Sequence, residues 1–234
     1  RDESIGNYSW DNKGSSGIND WSKARLMMTL NPGYETVLDS ELYATEASLY
    51  YNAKSGTCYA GNYDSIVPCD FTEIGLKDPI SRGLIETVIW DLGASDNIAN
   101  SPNDFYNLER GTSVFEERPI NWSGKIGLMY VSDYGFATSG SSEIKRNECI
   151  NTNLDSWSNL NDCYLNNWLY FENFQWTLTP NLNHSNRVFS VREDGNVYES
   201  SAHNAGVAVF PSLYLKSSIK IISGTGSSSD PFAL

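Results

Sequence analysis

Few side chains in this chain of 234 residues could act as a general base. Its two histidines, His184 and His203, stand in polar, loop-like segments with no GxSxG nucleophile motif nearby. Adjacent carboxylates at 116–117 and 193–194 fall in turn contexts, where charged side chains are normally solvated. The Gly/Ser-rich stretch 224–229 lacks the lysine and the following helix of a phosphate-binding loop. The sequence therefore predicts a protein that is not an enzyme.

Charge restricts the partners and cofactors. Acidic residues number 29 and basic residues 16, which gives a formal net charge of −13, and no run of Lys or Arg occurs. Because a phosphate backbone has to be met by clustered basic side chains, we expect no nucleic-acid partner. Asp and Asn are plentiful, yet no stretch matches the spaced oxygen ligands of a helix–loop–helix calcium site. We predict no metal-binding residues and no cofactor, with a structural calcium ion left open.

The four cysteines form two local pairs, Cys58 with Cys69 and Cys149 with Cys163. Four cysteines allow three pairings, and the local pairing is the most economical. Histidines are absent from their neighbourhood, which argues against zinc. Disulfides that close loops of this size stabilise a protein by about 2–3 kcal/mol each and indicate an oxidising, extracytoplasmic compartment. The alternative is a cytosolic protein with four reduced, buried thiols.

Residues 147–204 hold 13 of the 24 asparagines in about a quarter of the chain, together with many aromatic side chains. Asparagine is a common turn former, so one explanation is simply a large number of loops. Aromatic rings beside amides also build adaptable recognition surfaces. The residues that we predict to contact a ligand are Trp157, Tyr164, Asn166, Asn167, Trp168, Tyr170, Asn183, His184, Asn186, Tyr198, His203 and Asn204. Among the aromatics, Trp168 and Trp176 are expected to lie mainly in the core, and the tyrosines to keep one side exposed.

The C-terminal half carries the strand signals. Residues 176–180 alternate apolar and polar side chains, and 187–191 and 196–200 flank an Asp194–Gly195 pair that is typical of a type I′ hairpin turn. A last strand is predicted over 207–216, at a sheet edge or bulge because of Pro211. Together these segments predict an antiparallel sheet with polar connecting loops.

Helix signals are concentrated in the first half of the chain. Caps and apolar spacing predict helices over 20–33 and 78–93, and a weaker pattern suggests a third over 35–51. Residues 94–119 are expected to form a long loop, and 126–131 a buried strand. The segregation of helices from strands indicates an α+β fold. We predict one extracellular domain over residues 1–234, since no sharp boundary is present. No stretch reaches the ~20 apolar residues of a membrane helix, so any membrane attachment is expected to run through a segment before residue 1.

The chain also resembles a known family along most of its length. The segments SWDNKGSSGINDWSKARLMMTLNPGYE, GLKDPISRGLIETVIWDLG, WSGKIGLMYVSDYGFATSG and PSLYLKSSIKIISGTGSSSDPFAL occur in the order seen in a family of uncharacterised extracellular domains of Gram-positive bacteria, over nearly all of 7–234. The resemblance implies a C-type-lectin-like fold, shared with formylglycine-generating-enzyme-type domains. In such a fold, helices pack on a twisted antiparallel sheet with long polar loops. Many members of the family follow a type IV prepilin-like helix.

The resemblance and the aromatic, Asn-rich loops lead to one expectation and two alternatives. The expected function is a non-catalytic binding module or pilin-like filament subunit, displayed at the cell surface, which presents the loops of 147–204 to a protein or glycan ligand. Identical or related subunits are then further partners. The first alternative is a purely structural subunit of a pilus or surface filament. The second is an enzyme of the formylglycine-generating type, whose chemistry relies on a reactive cysteine pair such as Cys149 and Cys163.

Overall fold

A computed structural model of the protein describes residues 4–35, 47–225, 229–230 and 232–233. The helices in these ranges are α1 (Arg25–Leu30), α2 (Pro79–Leu84), α3 (Pro102–Glu109), α4 (Val131–Phe136), α5 (Glu143–Ile150) and α6 (Asn161–Tyr164), with 3₁₀ helices at Trp21–Lys23 and Leu154–Asn159. The strands are β1 (Ser55–Tyr59), β2 (Ile66–Asp70), β3 (Val88–Asp91), β4 (Asn121–Gly124), β5 (Ile126–Gly127), β6 (Gln175–Pro180), β7 (Arg187–Val191), β8 (Val197–Ser201) and β9 (Ser212–Leu213). None of the helices described combines the length and apolar character needed to cross a membrane.

The strands form small antiparallel sheets, so the coarse α+β prediction is confirmed. Three sheets have two strands each, β1–β2, β3–β4 and β5–β9, and one has three strands in the order β6–β7–β8. The expected segregation is wrong, because α4, α5 and α6 lie in the second half of the chain and β1, β2 and β3 in the first. Most of the helix predicted over 35–51 falls outside the described residues.

The three-stranded sheet separates two hydrophobic clusters. Successive side chains of a strand point to opposite faces, and β7 shows this directly. Val188 joins a cluster built around Trp10, Trp21 and Trp176, whereas its neighbour Phe189 joins a second cluster built around Tyr134 and the helices α3 to α6. The sheet is therefore covered on both faces, and every residue of β6 is buried.

Strand β6 has a second neighbour in the segment 207–209. Trp176 N donates to Ala208 O at 3.0 Å, and Ala208 N donates to Phe174 O at 2.7 Å. The other edge of this segment bonds to the N-terminal residues, since Val209 N donates to Gly6 O at 3.0 Å. The strand predicted over 207–216 is thus divided. Its first part lies inside the structure, and only β9, after Pro211, pairs with β5.

The hairpin β7–β8 is confirmed, but its turn differs from the prediction. Asp194 keeps the negative φ usual for a non-glycine residue, and only Gly195 takes a positive φ, of 81°. Gly195 N donates to Arg192 O at 3.0 Å and Arg192 N to Asn196 O at 2.8 Å, which is a three-residue loop and not a type I′ turn. A side chain at Gly195 would also collide with Tyr164, whose Cβ lies 2.5 Å from an added Cβ.

The helix predicted over 78–93 is wrong beyond its first turns. Asp78 caps α2 as expected, but α2 ends at Leu84 and β3 follows, paired with β4. After α2 the backbone bonds to the C-terminal segment and not to the preceding helical turn: Glu86 N donates to Tyr214 O at 2.8 Å. Ile89, one of the apolar residues within the predicted helix, is 71% exposed on β3.

Two further segments differ from the sequence-based assignment. Within the expected loop 94–119, Ser101 and Asp104 form a capping box that begins α3, with Pro102 in its first turn. The buried strand expected over 126–131 ends at Gly127, and α4 begins at Val131 because Asp133 accepts a hydrogen bond from Tyr130 N.

Helix α3 ends at a fully buried carboxylate, Glu109. Its Oε1 accepts hydrogen bonds from Thr179 Oγ1 at 2.6 Å and Ser132 N at 3.2 Å, and Ser132 Oγ donates to its Oε2. Burial raises the pKa of Glu109 to about 7, and the charge of Asp133 adds to this rise, whereas the three hydrogen bonds oppose it. Glu109 therefore changes its charge close to neutral pH.

We expect Glu109 to make the protein less stable as the pH rises. The folded state binds the proton more tightly than the unfolded state, whose carboxyl has its ordinary pKa, so the contribution is complete below that ordinary value and is lost as the pH passes about 7. Between pH 5 and 8 the loss amounts to about 2–3 kcal/mol. Glu109→Gln mimics the protonated acid and should remove this part of the pH dependence from urea unfolding curves. The exposed Glu172→Gln is the matched control, and equal slopes for wild type and Glu109→Gln contradict the assignment.

Candidate functional site

The predicted ligand-binding residues fall at opposite ends of the β7–β8 hairpin. Five residues of strand separate the two ends, which is roughly 16 Å at the usual rise per residue. The group near the hairpin turn contains Tyr164, Asn166, Asn167, Trp168, Tyr170 and Tyr198. The group at the other end contains Asn183, His184, Asn186, His203 and Asn204. The predicted residues therefore do not converge on one surface.

Trp157 belongs to neither group, because it is fully buried in the core. Its ring packs 5.4 Å from that of Tyr134, within the cluster formed by the helices and β7. A side chain with no exposed surface cannot meet a ligand from solvent. The prediction of Trp157 as a contact residue is corrected to a packing role.

The group at the far end mainly fixes the backbone. His203 Nδ1 lies 3.2 Å from Ser16 O, and Asn204 Oδ1 accepts a hydrogen bond from Gly206 N at 2.9 Å. Asn183 and His184 are exposed, but their backbone N–H groups donate to the buried side chain of Asn181. These contacts match the turn-forming use of asparagine better than ligand recognition.

Trp168 is predicted both to contact a ligand and to lie mainly in the core, and the second expectation is wrong. Its side chain is 71% exposed, whereas Trp176 is buried as predicted. Exposure of a whole indole ring forgoes a large hydrophobic gain, since an aromatic side chain buries about 150–250 Å² when it is packed inside a protein. Trp168 therefore stands out as the residue of the window that presents the most apolar surface to solvent.

The backbone on both sides of Trp168 is fixed by buried groups. Asn167 is buried, its Nδ2 donates to Tyr134 O at 2.6 Å, and its Oδ1 accepts from Leu169 N at 2.9 Å. Gln175 Nε2 donates to Leu169 O at 3.0 Å. The asparagine that precedes the exposed ring is thus an anchor for the loop, which corrects its assignment as a ligand contact.

A disulfide and two tyrosines next to the loop that carries Trp168 also bond it to neighbouring segments. Cys163, in α6, is bonded to Cys149 in α5, and Thr138 Oγ1 donates to Cys163 O at 2.6 Å. The rings of Tyr164 and Tyr170 meet edge to face at 5.1 Å, and the Tyr170 hydroxyl donates to the Glu193 carbonyl in the hairpin turn. The backbone that carries Trp168 is therefore bonded to neighbouring segments on both sides.

Trp168 lies at the rim of a groove with a volume of about 560 Å³, which we call the Trp168 groove. Its wall combines five remote parts of the chain: the N-terminal residues, the segments around 50 and 74, the loop that carries Trp168, and the segment before and including β9. The lining residues are Ser4, Ile5, Tyr50, Ile74, Trp168, Leu169, Phe210, Pro211, Ser212 and Leu213. Sequence analysis missed all of these except Trp168, and the only local signal was Pro211 within an apolar run.

The lining of the Trp168 groove carries no charged side chain. Tyr50 stays neutral, because burial raises the pKa of its phenol further above the ordinary value. The chain as a whole carries a formal net charge of −13, whereas the residues that line this groove carry no charge. The groove is therefore suited to a neutral, largely apolar group.

Metal ligands do not converge at either end of the hairpin. Among the described residues, no three or more His, Cys, Asp or Glu side chains are grouped so that they could hold a metal ion. Asp11 is the most buried aspartate of the N-terminal segment. Its two carboxylate oxygens accept hydrogen bonds from the backbone N–H groups of Lys13, Ile18 and Arg25. The structural calcium ion left open by the sequence stays untested.

Both predicted disulfides are present, Cys58–Cys69 and Cys149–Cys163. Each of the four sulfur-bearing side chains is buried, and the two bonds belong to different hydrophobic clusters. Structural disulfides persist in oxidising surroundings, so the protein matures in an oxidising, non-cytoplasmic compartment.

Comparisons with protein-family models, with curated proteins and with solved structures give no match to this chain.

We expect the Cys149–Cys163 bond to control the order of the Trp168 loop. The double variant Cys149→Ser, Cys163→Ser should lower the free energy of unfolding by about 2–3 kcal/mol, as expected for a loop of this length. It should also speed amide hydrogen exchange over residues 165–170. The variant Cys58→Ser, Cys69→Ser should destabilise the protein and leave exchange in that loop unchanged. Equal amide exchange rates over residues 165–170 in the two double variants contradict a specific role of the Cys149–Cys163 bond in ordering the loop.

Proposed function

We propose that this protein is a non-catalytic recognition module displayed at the cell surface, with a C-type-lectin-like scaffold and with the Trp168 groove as its ligand site. The small antiparallel sheets and the long polar loops support that scaffold. The two disulfides support display outside the cytoplasm.

One observation carries this proposal: a mostly exposed tryptophan stands on a backbone that buried groups hold in place. Asn167 and the neighbouring Cys149–Cys163 bond fix the loop, yet the Trp168 ring itself is left uncovered. Ordering a loop on binding costs free energy, and this cost is avoided where the loop is fixed in advance. Tryptophan is also the residue type most enriched among the dominant contacts of binding interfaces. A fixed, exposed indole beside a groove is thus suited to recognition.

The groove favours an apolar segment of a polypeptide as the ligand. Its volume lies within the range of about 300–1,000 Å³ that is usual for binding pockets. Eight of its ten lining residues are apolar or aromatic, and the side-chain hydroxyls are those of Ser4, Ser212 and Tyr50. A glycan needs several hydrogen-bond partners for its hydroxyls, whereas leucine- or proline-rich segments need apolar contact. A glycan stacked on Trp168 is the other outcome that the experiment below can reveal.

A groove of this size supports only modest affinity by itself. Repetition along a filament or on a cell surface raises the effective concentration of sites and can strengthen binding by orders of magnitude. This gain in affinity favours a filament subunit, with identical or related subunits as further partners.

A purely structural subunit is the second candidate. It is favoured by isoleucines that are exposed outside the groove, on several elements: Ile80 in α2, Ile89 in β3 and Ile144 in α5. Subunit contacts in a polymer would cover such side chains. An enzyme of the formylglycine-generating type is less favoured, since the pair Cys149 and Cys163 that it would need is joined in a buried disulfide.

Substitution of Trp168 tests the recognition proposal. A phage-displayed peptide library and an immobilised glycan panel are screened against the folded protein, and every binder is measured again with Trp168→Ala. We expect apolar peptides to be selected and to lose at least tenfold in affinity, because an aromatic anchor typically contributes 2 kcal/mol or more. The matched control is Ile89→Ala, since Ile89 is also 71% exposed and lies outside the groove.

The outcomes separate the candidates. Peptide binding that survives Trp168→Ala but is lost in Ile89→Ala places the contact on the β3 face and sinks the groove proposal. Selection of glycans alone, with the same dependence on Trp168, changes the ligand class. No binder from either collection, together with concentration-dependent assembly that Ile89→Ala abolishes, supports the structural subunit.

A further inference from the structure

A second cavity lies apart from the Trp168 groove, between the N-terminal segment, the loop 114–119 and the end of β6. Its volume is about 10 Å³, which matches the space that one water molecule requires. The residues that line it are Trp10, Asn19, Asp20, Trp21, Leu92, Val114, Phe115, Arg118, Pro119, Leu178 and Pro180. Most of this wall is apolar, so the few polar groups in it decide what the cavity holds.

Three polar atoms of the lining residues are buried and bond to no other protein atom: Asn19 Oδ1, Trp21 Nε1 and Arg118 Nη1. Leaving such a group unpaired costs about 1–3 kcal/mol, so buried polar atoms normally have a partner. Two other buried tryptophans of this chain follow that rule, whereas Trp157 Nε1 is also unpaired. Trp10 donates its indole N–H to Thr177 O at 3.1 Å and Trp176 to Tyr8 O at 2.9 Å.

The orientation of the Asn19 amide is fixed by its surroundings. Asn19 Nδ2 lies 2.7–2.9 Å from the backbone carbonyls of Asn181, His184 and Arg187. The nitrogen has to face these acceptors, so the oxygen is left as an acceptor without a donor. Arg118 is fixed in a similar way, because its Nη2 donates to Ser185 O at 2.8 Å while its Nη1 stays unpaired.

The three unpaired atoms supply two donors and one acceptor, which is the complement of a hydroxyl group. A hydroxyl oxygen accepts two hydrogen bonds and donates one, and water can do the same. An anion fits less well, since Asp20 lines the cavity and its charge, like that of Glu116, already acts on Arg118. The acceptor Asn19 Oδ1 would also face an anion without any proton between them.

We propose that this cavity binds a single neutral oxygen held by Asn19, Trp21 and Arg118, supplied either by a water molecule or by the hydroxyl group of a small ligand. The oxygen links three segments that are remote in the chain, at residues 19–21, at Arg118 and, through the carbonyls that Asn19 holds, at the loop before β7. The site is independent of the Trp168 groove and of the function proposed for it.

The first test uses the unmodified protein. A crystal structure that resolves ordered water should show one oxygen within hydrogen-bonding distance of all three atoms. In solution, the Trp21 indole proton should show a persistent cross-relaxation signal with water. Trp157 is the internal control, because its indole nitrogen is equally buried and unpaired but does not line this cavity. An empty cavity, or a Trp21 indole that donates to a protein carbonyl, overturns the proposal.

The second test distinguishes water from a ligand hydroxyl. Titration with methanol and with glycerol is followed at the Trp21 indole resonance. A saturable shift with loss of the water signal identifies a hydroxyl site, whereas an unchanged signal identifies resident water. Arg118→Met removes one donor and should abolish the water signal. Arg192→Met is the matched control, because Arg192 also carries a buried, unpaired nitrogen, and it should leave the signal intact; an equal loss in both variants contradicts the assignment.

Discussion

Strand β6 is buried along its whole length, so its backbone polar groups and its threonine hydroxyls have to find partners inside the protein. One edge pairs with β7, and the other bonds to the carbonyls of Met129 and Ala208. A register shift interrupts the ladder to β7, and there the hydroxyls of Thr177 and Thr179 bond to Phe189 O and Glu109. Through these bonds β6 joins both hydrophobic clusters, and Gln175 Nε2 bonds it to Leu169 O in the wall of the Trp168 groove.

Local chemistry explains which parts of the fold the sequence could predict. The hairpin, the capped start of α2 and both disulfides follow from residues that act on their own neighbours, namely Gly195, Asp78 and the closely spaced cysteines. The prediction failed where distant segments decide the structure. Residues after Leu84 have a helical pattern of apolar side chains, yet the segment around Tyr214 takes their backbone hydrogen bonds. A single sequence does not show that Glu86 has a partner 128 residues away, at Tyr214.

The same distinction explains why the candidate site was predicted only in part. The density of asparagines in 147–204 predicts a recognition surface, but Asn167 and Asn181 of this window are buried and hold backbone groups in place. An amide side chain carries both donors and an acceptor, so one asparagine can form hydrogen bonds to several loop segments. The aromatic signal was more informative, because Trp168 is exposed, as a contact residue has to be, although Trp157 is buried. Burial depends on tertiary neighbours, which the residue type alone does not reveal.

These anchors also define how recognition at the Trp168 groove would operate. The chain carries a formal net charge of −13, so its long-range field repels anionic surfaces and does not steer them to the site. The groove itself is uncharged, and its attraction acts only after contact, through removal of apolar surface from water. The proposed groove therefore favours a partner that is neutral or basic and that offers an apolar group. Because the loop is fixed in advance, shape complementarity to the rim formed by Trp168 decides between such partners.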